Sequence, residues 1–325
     1  MKCLNKRGIC YILCCCMLMM LLNGCGNAYD KTGQLHIQSD VNIPIVRPAG
    51  LSANDVVIPY DAYIYDNSEM EYEAGLLINQ TKNTVVSAVN PHKQIYPASM
   101  TKIMTAVVVM DAVNSGSISL QDTVVVQKKI EFNEDNVGVL GLEPGDYITV
   151  DELLHGLLIA SYNDCAVVLA RYVAGSVSDF VDRMNEKAIE LGATNTHFVN
   201  PHGLHDNNHY TTPYDLYLIF KAFLKNDTLV SIDGNSEYTL KYYRDSEPVE
   251  ADILATNGFL SNNFEMPTGY HITGWKTGTT EKAGNCIILE FVSDTTDEEF
   301  ICLVSNAKDK EILYQNVEDM LKEIY

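Results

Sequence analysis

Short segments rich in apolar and β-branched residues lie near both ends of this chain, and longer segments of helical character lie between them. Two such segments occupy residues 74–89 around a polar turn, and three more follow Gly258, at residues 272–279, 285–292 and 300–305. Their polar connectors fit antiparallel strands. Because strands from both ends meet in one sheet, the sequence predicts an α+β fold: an antiparallel sheet flanked by helices, with an inserted all-helical subdomain.

The helices are predicted from apolar spacing and from residues that favour helix ends. Asp151, Ser178 and the pair Thr212–Pro213 are predicted starts, and Gly192 is a predicted stop. The first helix is apolar on most of its surface and is therefore predicted to be mostly buried. The predicted helices span residues 99–113, 152–160, 179–191, 213–225 and 310–325.

The N-terminus has the pattern of a secretory signal. Lys2, Lys6 and Arg7 precede an apolar stretch at residues 8–22 that contains no acid. This stretch is shorter than the roughly 20 residues that a membrane-spanning helix needs. Its length favours a signal peptide over the alternative of an uncleaved membrane anchor.

Residues 22–25, Leu-Asn-Gly-Cys, resemble the lipobox of bacterial lipoproteins, in which cleavage before the cysteine leaves it free to carry lipid. The resemblance implies a signal peptide at residues 1–24, a lipid on Cys25 and attachment to the outer face of the bacterial cytoplasmic membrane. Residues 25–58 lack sustained periodicity and are predicted to form a flexible tether with a reach on the order of 30 Å. Residues 59–325 form the predicted globular domain.

Charge and cysteine content argue against two classes of protein. The chain has 22 basic and 43 acidic residues, a formal net charge of -21, so nucleic acid is not an expected partner. Five of the nine cysteines lie in the predicted signal peptide. With Cys25 lipidated, Cys165, Cys286 and Cys302 remain, an odd number that argues against a disulfide framework. A single bridge between Cys286 and Cys302 is left open.

Three short patterns carry the candidate chemistry: Ser99–Met100–Thr101–Lys102, Ser161–Tyr162–Asn163 and Lys276–Thr277–Gly278. They match the S-x-x-K, S-x-N and K-T-G set of penicillin-interacting serine enzymes. The same patterns recur elsewhere, at residues 305–308 and 31–33, so context must select among them. The first pattern opens a predicted buried helix, the second ends another helical run, and the third lies in a predicted strand.

The first pattern has a local physical rationale. Residues three apart on a helix share a face, so the Lys102 amine can reach the Ser99 hydroxyl. A lysine accepts the serine proton only if burial or a neighbouring cation lowers the pKa of its ammonium group. Apolar neighbours surround Lys102 in the sequence, and Lys276 is the candidate cation.

The wider sequence around the three patterns closely resembles the low-molecular-mass penicillin-binding proteins that are D-alanyl-D-alanine carboxypeptidases. The similar segments are residues 96–105, 158–164 and 274–280, and the resemblance spans residues 72–308. It implies the serine β-lactamase and DD-peptidase type of fold. It also implies that Ser99 is the acylated nucleophile, Lys102 its base, and Ser161 with Asn163 a pair that relays protons and positions substrate.

The resemblance further implies a binding site for the carboxylate at the end of the substrate. Lys276 is the implied electrostatic anchor, Thr277 and Thr279 are implied carboxylate ligands, and Gly278 lies between them. The backbone amides of Ser99 and Thr279 are the implied oxyanion hole. Family members often place an arginine after the following strand, where this chain has Lys308; an ordinary surface lysine is the alternative for that residue.

Histidines are concentrated in one segment, which raises the question of a metal site. His197, His202, His205 and His209 lie within thirteen residues. Because residues 202–215 resemble a family loop that needs no metal, we expect these histidines to hold the loop by hydrogen bonds. No cofactor is expected, and Cys165 is expected to be inert packing.

These observations predict a membrane-tethered serine carboxypeptidase. Its expected substrate is the terminal D-Ala-D-Ala bond of peptidoglycan stem peptides, and its expected covalent inhibitors are β-lactams. Two alternatives remain at this stage: a serine β-lactamase on the same fold, and a catalytically poor module that senses β-lactams.

Overall fold

The computed structural model describes residues 56–58, 71–134 and 137–324. The predicted signal peptide, Cys25 and most of the predicted tether lie outside the described residues. The last three tether residues are described and contact the domain. The Tyr214 hydroxyl donates a hydrogen bond to the Val56 carbonyl at 2.8 Å, and the His92 Nε2 lies 2.8 Å from the Ile58 carbonyl.

The described strands form two antiparallel sheets with the orders β2-β1-β9-β8-β7 and β3-β4-β5-β6. The strands are β1 (Ala74–Asn79), β2 (Thr84–Val89), β3 (Thr123–Val125), β4 (Tyr147–Thr149), β5 (Glu237–Arg244), β6 (Glu247–Leu254), β7 (Tyr270–Thr280), β8 (Gly284–Ser293) and β9 (Glu299–Ala307).

The five-stranded sheet joins the two ends of the domain. Strand β1 pairs with β9 from Ala74 opposite Ser305 to Asn79 opposite Phe300. All six residues of β1 are buried, and consecutive strand residues point to opposite faces, so both faces of the sheet are covered. This arrangement confirms the predicted antiparallel sheet flanked by helices.

The four-stranded sheet lies in the region that was predicted to be all-helical, and this part of the prediction was wrong. Its hairpin β5–β6 alternates charged and apolar residues, with Lys241 and Glu250 directly opposite each other. Part of its stabilisation comes from a distant residue, because the Glu152 carboxylate accepts a hydrogen bond from the Lys241 amide at 3.0 Å. Such a contact leaves no signal in the local sequence.

The described residues contain seven α-helices, which pack around the sheets. They are α1 (Thr101–Asn114), α2 (Val150–Leu158), α3 (Asn163–Ala174), α4 (Val177–Glu190), α5 (Pro213–Leu224), α6 (Asp227–Asp233) and α7 (Lys310–Lys322). Helix α1 is buried on nearly every side, as its apolar sequence predicted. Among the described residues, no helix combines the length and apolar character needed to cross a bilayer.

The five predicted helices begin within two residues of their observed starts, whereas α3 and α6 were not among the predicted ranges. Thr212 caps α5 as expected, accepting a hydrogen bond from the Asp215 amide at 3.1 Å. Helices α2 and α4 begin two residues earlier than predicted: Thr149 and Ser176, rather than Asp151 and Ser178, accept the capping bonds. Each true cap has an extended backbone, and side-chain propensity alone does not select between two neighbouring capping residues.

Candidate active site

Ser99 and Lys102 meet where a short turn of 3-10 helix leads into α1. The turn spans Ala98–Met100, and α1 follows at once. This places the Lys102 Nζ 2.8 Å from the Ser99 Oγ. Lys102 is fully buried, whereas Ser99 is partly exposed, so the hydroxyl is reachable from solvent and the amine is not.

Two further groups surround the Lys102 amine, and both can only accept hydrogen bonds from it. They are the Asn163 Oδ1 at 2.8 Å and the His202 carbonyl oxygen at 2.7 Å. A neutral amine has two hydrogens and one lone pair. When these two acceptors take both hydrogens, the lone pair is directed at the Ser99 hydroxyl, which then donates to Lys102.

The electrostatic surroundings favour this neutral amine. Burial first, and then the charge of Lys276, lower the pKa of Lys102 well below its usual range, while Asp164 and Cys165 act in the opposite direction. Desolvation and a like charge both disfavour an ammonium group. Lys102 therefore has the environment of a general base.

Asn163 is held in place by the segment at residues 138–142. Its side-chain amide donates to the Gly138 carbonyl at 3.0 Å, which leaves its oxygen for Lys102. The neighbouring Asp164 carboxylate accepts bonds from three consecutive backbone amides, those of Leu140, Gly141 and Leu142, at 2.8 to 3.0 Å. Asp164 was not predicted as a site residue, yet it fixes residues 140–142 beside Asn163.

Ser161 precedes α3 and has an unusual backbone. Its φ angle is 61°, in the left-handed region that a residue with a side chain seldom adopts. Its Oγ is buried, without a hydrogen-bond partner among the residues described here. This strained backbone places the Ser161 hydroxyl beside the entrance to the site. Because the described residues give the hydroxyl no hydrogen-bond partner, it is free to give or take a proton.

Strand β7 packs against the Ser99 turn through Gly278. A Cβ atom on Gly278 would lie 2.9 Å from the Ser99 amide nitrogen and 3.0 Å from the Pro97 carbonyl. Because real Cβ atoms do not approach so closely, only glycine allows this contact. The glycine of the K-T-G pattern thus brings the β7 main chain beside the nucleophile.

The outer edge of β7 is open at the site. The Trp275 amide donates to Asp233 rather than to β8, and main-chain groups of alternate strand residues point the same way. The amides of Thr277 and Thr279 therefore point away from β8 as well. The sequence predicts that the Thr279 amide, together with the Ser99 amide, forms an oxyanion hole.

Lys276 is fully buried, and its Nζ has no hydrogen-bond partner within the described part of the chain. Burial lowers the pKa of Lys276 to about 8, although nearby Asp233 opposes this change. In its charged form, Lys276 supplies the positive charge that, after burial, lowers the pKa of Lys102.

A cleft of about 180 Å³ runs between these elements. Ser99, Ser161, Thr277, Gly278 and Thr279 all line it. The other lining residues are Thr256, Asn285, Cys286, Lys310, Leu313 and Tyr314. The structure thus brings parts of all three sequence patterns to one opening.

Lys308, the predicted carboxylate ligand after β9, does not line this cleft. Its side chain is exposed, and its carbonyl accepts a hydrogen bond from the Asn285 side chain at 3.3 Å. Lys310, at the start of α7, does line the cleft. Sequence reasoning missed Lys310 because nothing local distinguishes two lysines in the segment Lys308–Asp309–Lys310.

The histidine segment supports the base through its backbone. The His209 Nδ1 accepts from the Val199 amide, so its Nε2 carries the hydrogen and donates to the Thr101 hydroxyl at 2.8 Å. Gly203, with φ +90°, lies so close to Ala98 that an added Cβ would be 1.9 Å from its carbonyl oxygen. These contacts fix the turn that presents the His202 carbonyl to Lys102.

All three described cysteines are free thiols. Cys286 and Cys302, for which a bridge was left open, point to different neighbours: Cys286 to the Ala283 carbonyl and Cys302 to Met320. Burial raises the pKa of all three thiols, so they are not activated nucleophiles.

Comparisons with known proteins identify the family of this chain. A model of the D-alanyl-D-alanine carboxypeptidase family matches residues 62–309. The D-alanyl-D-alanine carboxypeptidase DacF of Bacillus subtilis (strain 168) is 35% identical over 226 residues, which cover 68% of this chain and 54% of that protein. The chain thus spans about half the length of the curated relatives that it matches.

Solved structures give the same result for the fold. A mutant of the Streptomyces K15 DD-transpeptidase has a TM-score of 0.69 and 26% identity, covering 78% of this chain and 97% of that one. Penicillin-binding protein D2 from Listeria monocytogenes, in a cefotaxime-bound form, has a TM-score of 0.67 at 23% identity, covering 80% and 99% of the two chains. The similarity to penicillin-binding protein D2 concerns the fold alone. On the family match and the identity to DacF, the chain belongs to the D-alanyl-D-alanine carboxypeptidase family.

Proposed function

We propose that this protein is a serine D-Ala-D-Ala carboxypeptidase that trims peptidoglycan stem peptides through an acyl-enzyme on Ser99. The observation that supports this most strongly is the buried Lys102 amine, 2.8 Å from Ser99, with two obligate acceptors for its hydrogens. That arrangement activates a hydroxyl for attack on an acyl group.

In the first half of the reaction, the Ser99 Oγ attacks the carbonyl carbon of the penultimate D-alanine, and Lys102 takes the hydroxyl proton. The amides of Ser99 and Thr279 stabilise the oxyanion that forms. Removing one such donor typically costs about 3 to 4 kcal/mol of transition-state stabilisation. The carbon–nitrogen bond then breaks, the leaving amine takes a proton from Lys102 through Ser161, and D-alanine departs.

In the second half, a water molecule attacks the ester on Ser99 and gives a proton to Lys102. The ester bond breaks, the proton returns to Ser99, and the shortened peptide leaves with a new carboxylate. The reaction uses one water and leaves the enzyme unchanged. Lys102 must be neutral at the start of each half, which its lowered pKa permits.

Residues of β7, on one side of the cleft, recognise the substrate carboxylate. In this proposal the Lys276 ammonium and the hydroxyls of Thr277 and Thr279 bind it. Lys308 and Lys310 are the candidate exposed cations. Comparing Lys308→Ala with Lys310→Ala separates them: the true ligand, when removed, raises KM for the peptide more than it slows acylation by a neutral β-lactam.

The direct test is incubation of the full chain with a peptide ending in D-Ala-D-Ala, with free D-alanine measured against a Ser99→Ala control. Release of many D-alanine molecules per enzyme molecule by the wild type, and of none by Ser99→Ala, supports the proposal. Rapid hydrolysis of a β-lactam without peptide turnover would favour the β-lactamase alternative. Stable acylation without either turnover would favour the sensor, and transfer of the acyl group to an added amine would identify a transpeptidase.

We also propose that Cys25 carries lipid and holds the domain at the outer face of the cytoplasmic membrane. Support comes from the lipobox-like residues 22–25 and the preceding basic and apolar stretch. Two acyl chains suffice for stable anchoring.

A further inference from the structure

Asp233 is a buried carboxylic acid at the end of α6, outside the three sequence patterns. It is fully buried, and it contacts Trp275 twice. Its Oδ2 accepts a hydrogen bond from the Trp275 amide, and its own carbonyl accepts one from the Trp275 indole at 2.7 Å. Asp233 therefore clamps β7 at the residue that directly precedes Lys276.

The clamp sits on the open edge of β7. Because the Trp275 amide points the same way as those of Thr277 and Thr279, Asp233 occupies the first position on this edge and leaves the next two for substrate. It thereby limits how far an extended peptide can pair along β7.

Two buried polar atoms remain near the clamp without a hydrogen-bond partner among the described residues: the second carboxylate oxygen of Asp233 and the Lys276 Nζ. The Lys276 Nζ lies 5.1 Å from the centroid of the Trp275 ring, the side chain whose indole binds the Asp233 carbonyl. Burial raises the pKa of Asp233 and lowers that of Lys276, and the attraction between the opposite charges opposes both changes.

The other charged groups around this site act on Lys102 instead. Lys276 lowers the pKa of Lys102, whereas Asp164 and Cys165 on α3 raise it. Lys102 in turn disfavours protonation of His202 and His209. Asp233 is the acidic group that acts on Lys276 itself.

We propose that Asp233 is a positioning residue whose carboxylate is the counter-charge that keeps Lys276 protonated while clamping Trp275. Through Lys276 it acts in two ways. It preserves the ammonium that binds the substrate carboxylate, and it preserves the positive charge that keeps Lys102 neutral. The kinetic part of this inference rests on the proposed carboxypeptidase function.

The test compares the pH dependence of kcat/KM for a D-Ala-D-Ala peptide in the full-chain wild type, D233N and W275F. The pH profile of kcat/KM reports the pKa values of the free enzyme. In the wild type we expect activity to fall near pH 8, as Lys276 loses its proton. D233N keeps an oxygen for the Trp275 amide but removes the charge, so this fall should move about one pH unit lower. W275F removes the indole bond but keeps the Asp233 charge and an aromatic ring facing the Lys276 Nζ, which lies 5.1 Å from the Trp275 ring centroid, so the fall should move less than in D233N.

A second comparison isolates Lys276. In K276R the guanidinium stays charged throughout the range, so the alkaline fall caused by Lys276 should disappear, and D233N should produce no shift in this background. An equal alkaline fall in wild type and D233N would overturn the proposal, as would a shift of the same size in the K276R background.

A direct titration keeps the proposal testable if D233N does not fold or if the peptide is not turned over. NMR of wild-type protein labelled at lysine Cε and aspartate Cγ should show Asp233 and Lys276 changing at a shared pH. Independent titration curves would contradict the pairing. A failure to release D-alanine, with a shared titration intact, would instead count against the proposed function alone.

Discussion

Lys102 is the residue whose surroundings decide the chemistry, because its two hydrogens have fixed acceptors and its charge is suppressed by burial and by Lys276. The sequence predicted Lys102 as a base from its spacing to Ser99. It could not show that the His202 carbonyl is one of the acceptors, since any residue can supply a backbone carbonyl. Asp164 and Asp233 were missed for a related reason: they act across long sequence separations.

Replacing Lys102 tests whether a neutral amine is required. Lys102→Ala removes the amine, and Lys102→Arg keeps a cation that cannot give up its proton. We expect both variants to lose about 10²- to 10⁴-fold in the rate of β-lactam acylation, the usual contribution of a general base. In the wild type, acylation should also fall as the pH drops and Lys102 becomes protonated. An arginine variant with near-normal acylation would mean that another group deprotonates Ser99.

At the scale of elements, the helices were predicted well where an apolar stripe and a cap coincide, as in α5 with Thr212. The hairpin β5–β6 was missed because its exposed, charged strands are stabilised by pairing and by Glu152 rather than by a local apolar pattern. The sheet strands β7 to β9 were predicted because their segments are short, rich in apolar and β-branched residues, and separated by polar connectors.

The turn that carries His202 depends on Gly203, and a matched glycine separates backbone strain from steric clash. Gly203 and Gly175 both have positive φ angles, +90° and +80°, but an added Cβ has no neighbour within 4 Å at Gly175. Gly175→Ala should therefore cost only the left-handed backbone penalty, about 1 to 2 kcal/mol. Gly203→Ala should lower the melting temperature further and slow acylation, because it displaces the His202 carbonyl. Equal effects of the two variants in thermal unfolding and acylation would show that the close contact with Ala98 is unimportant.

The segment that contains His202 and His209 should make the free energy of unfolding depend on pH. Burial lowers the pKa of His202 to about 3 and that of His209 to about 4, below the value of about 6.5 in an unfolded chain. Between these values the unfolded state binds protons that the folded state does not, so the free energy of unfolding falls as the pH drops below about 6.5. The slope is about 1.4 kcal/mol per pH unit for each histidine.

Urea unfolding at pH 7, 6 and 5 measures this slope, and His209→Gln is the informative variant. Glutamine can still donate to Thr101 but does not titrate, so the wild type should lose more stability than the variant between pH 6 and pH 5. Parallel curves for the two proteins would mean that His209 is not kept neutral by the fold.

At the scale of the whole molecule, the proposed lipid anchor is tested by Cys25→Ala. The variant should leave the membrane fraction or accumulate as an unprocessed precursor, because the acidic remainder of the chain is repelled by anionic lipid. Fractionation with an antibody to the domain, together with N-terminal mass analysis, provides the measurement. A cleaved variant that stays in the membrane fraction would show that something other than this lipid holds it.

The central claim is that Ser99 is the acylated residue, and one measurement tests it most directly: peptide mapping by mass spectrometry after brief incubation with a β-lactam. Opening of the strained lactam adds the whole mass of the antibiotic to the attacking serine. The arrangement of Ser99, Lys102 and Asn163 predicts this mass on the peptide that contains Ser99, and its loss in Ser99→Ala. Labelling of Ser305, whose segment repeats the S-x-x-K pattern, or an unlabelled wild-type protein, would contradict it.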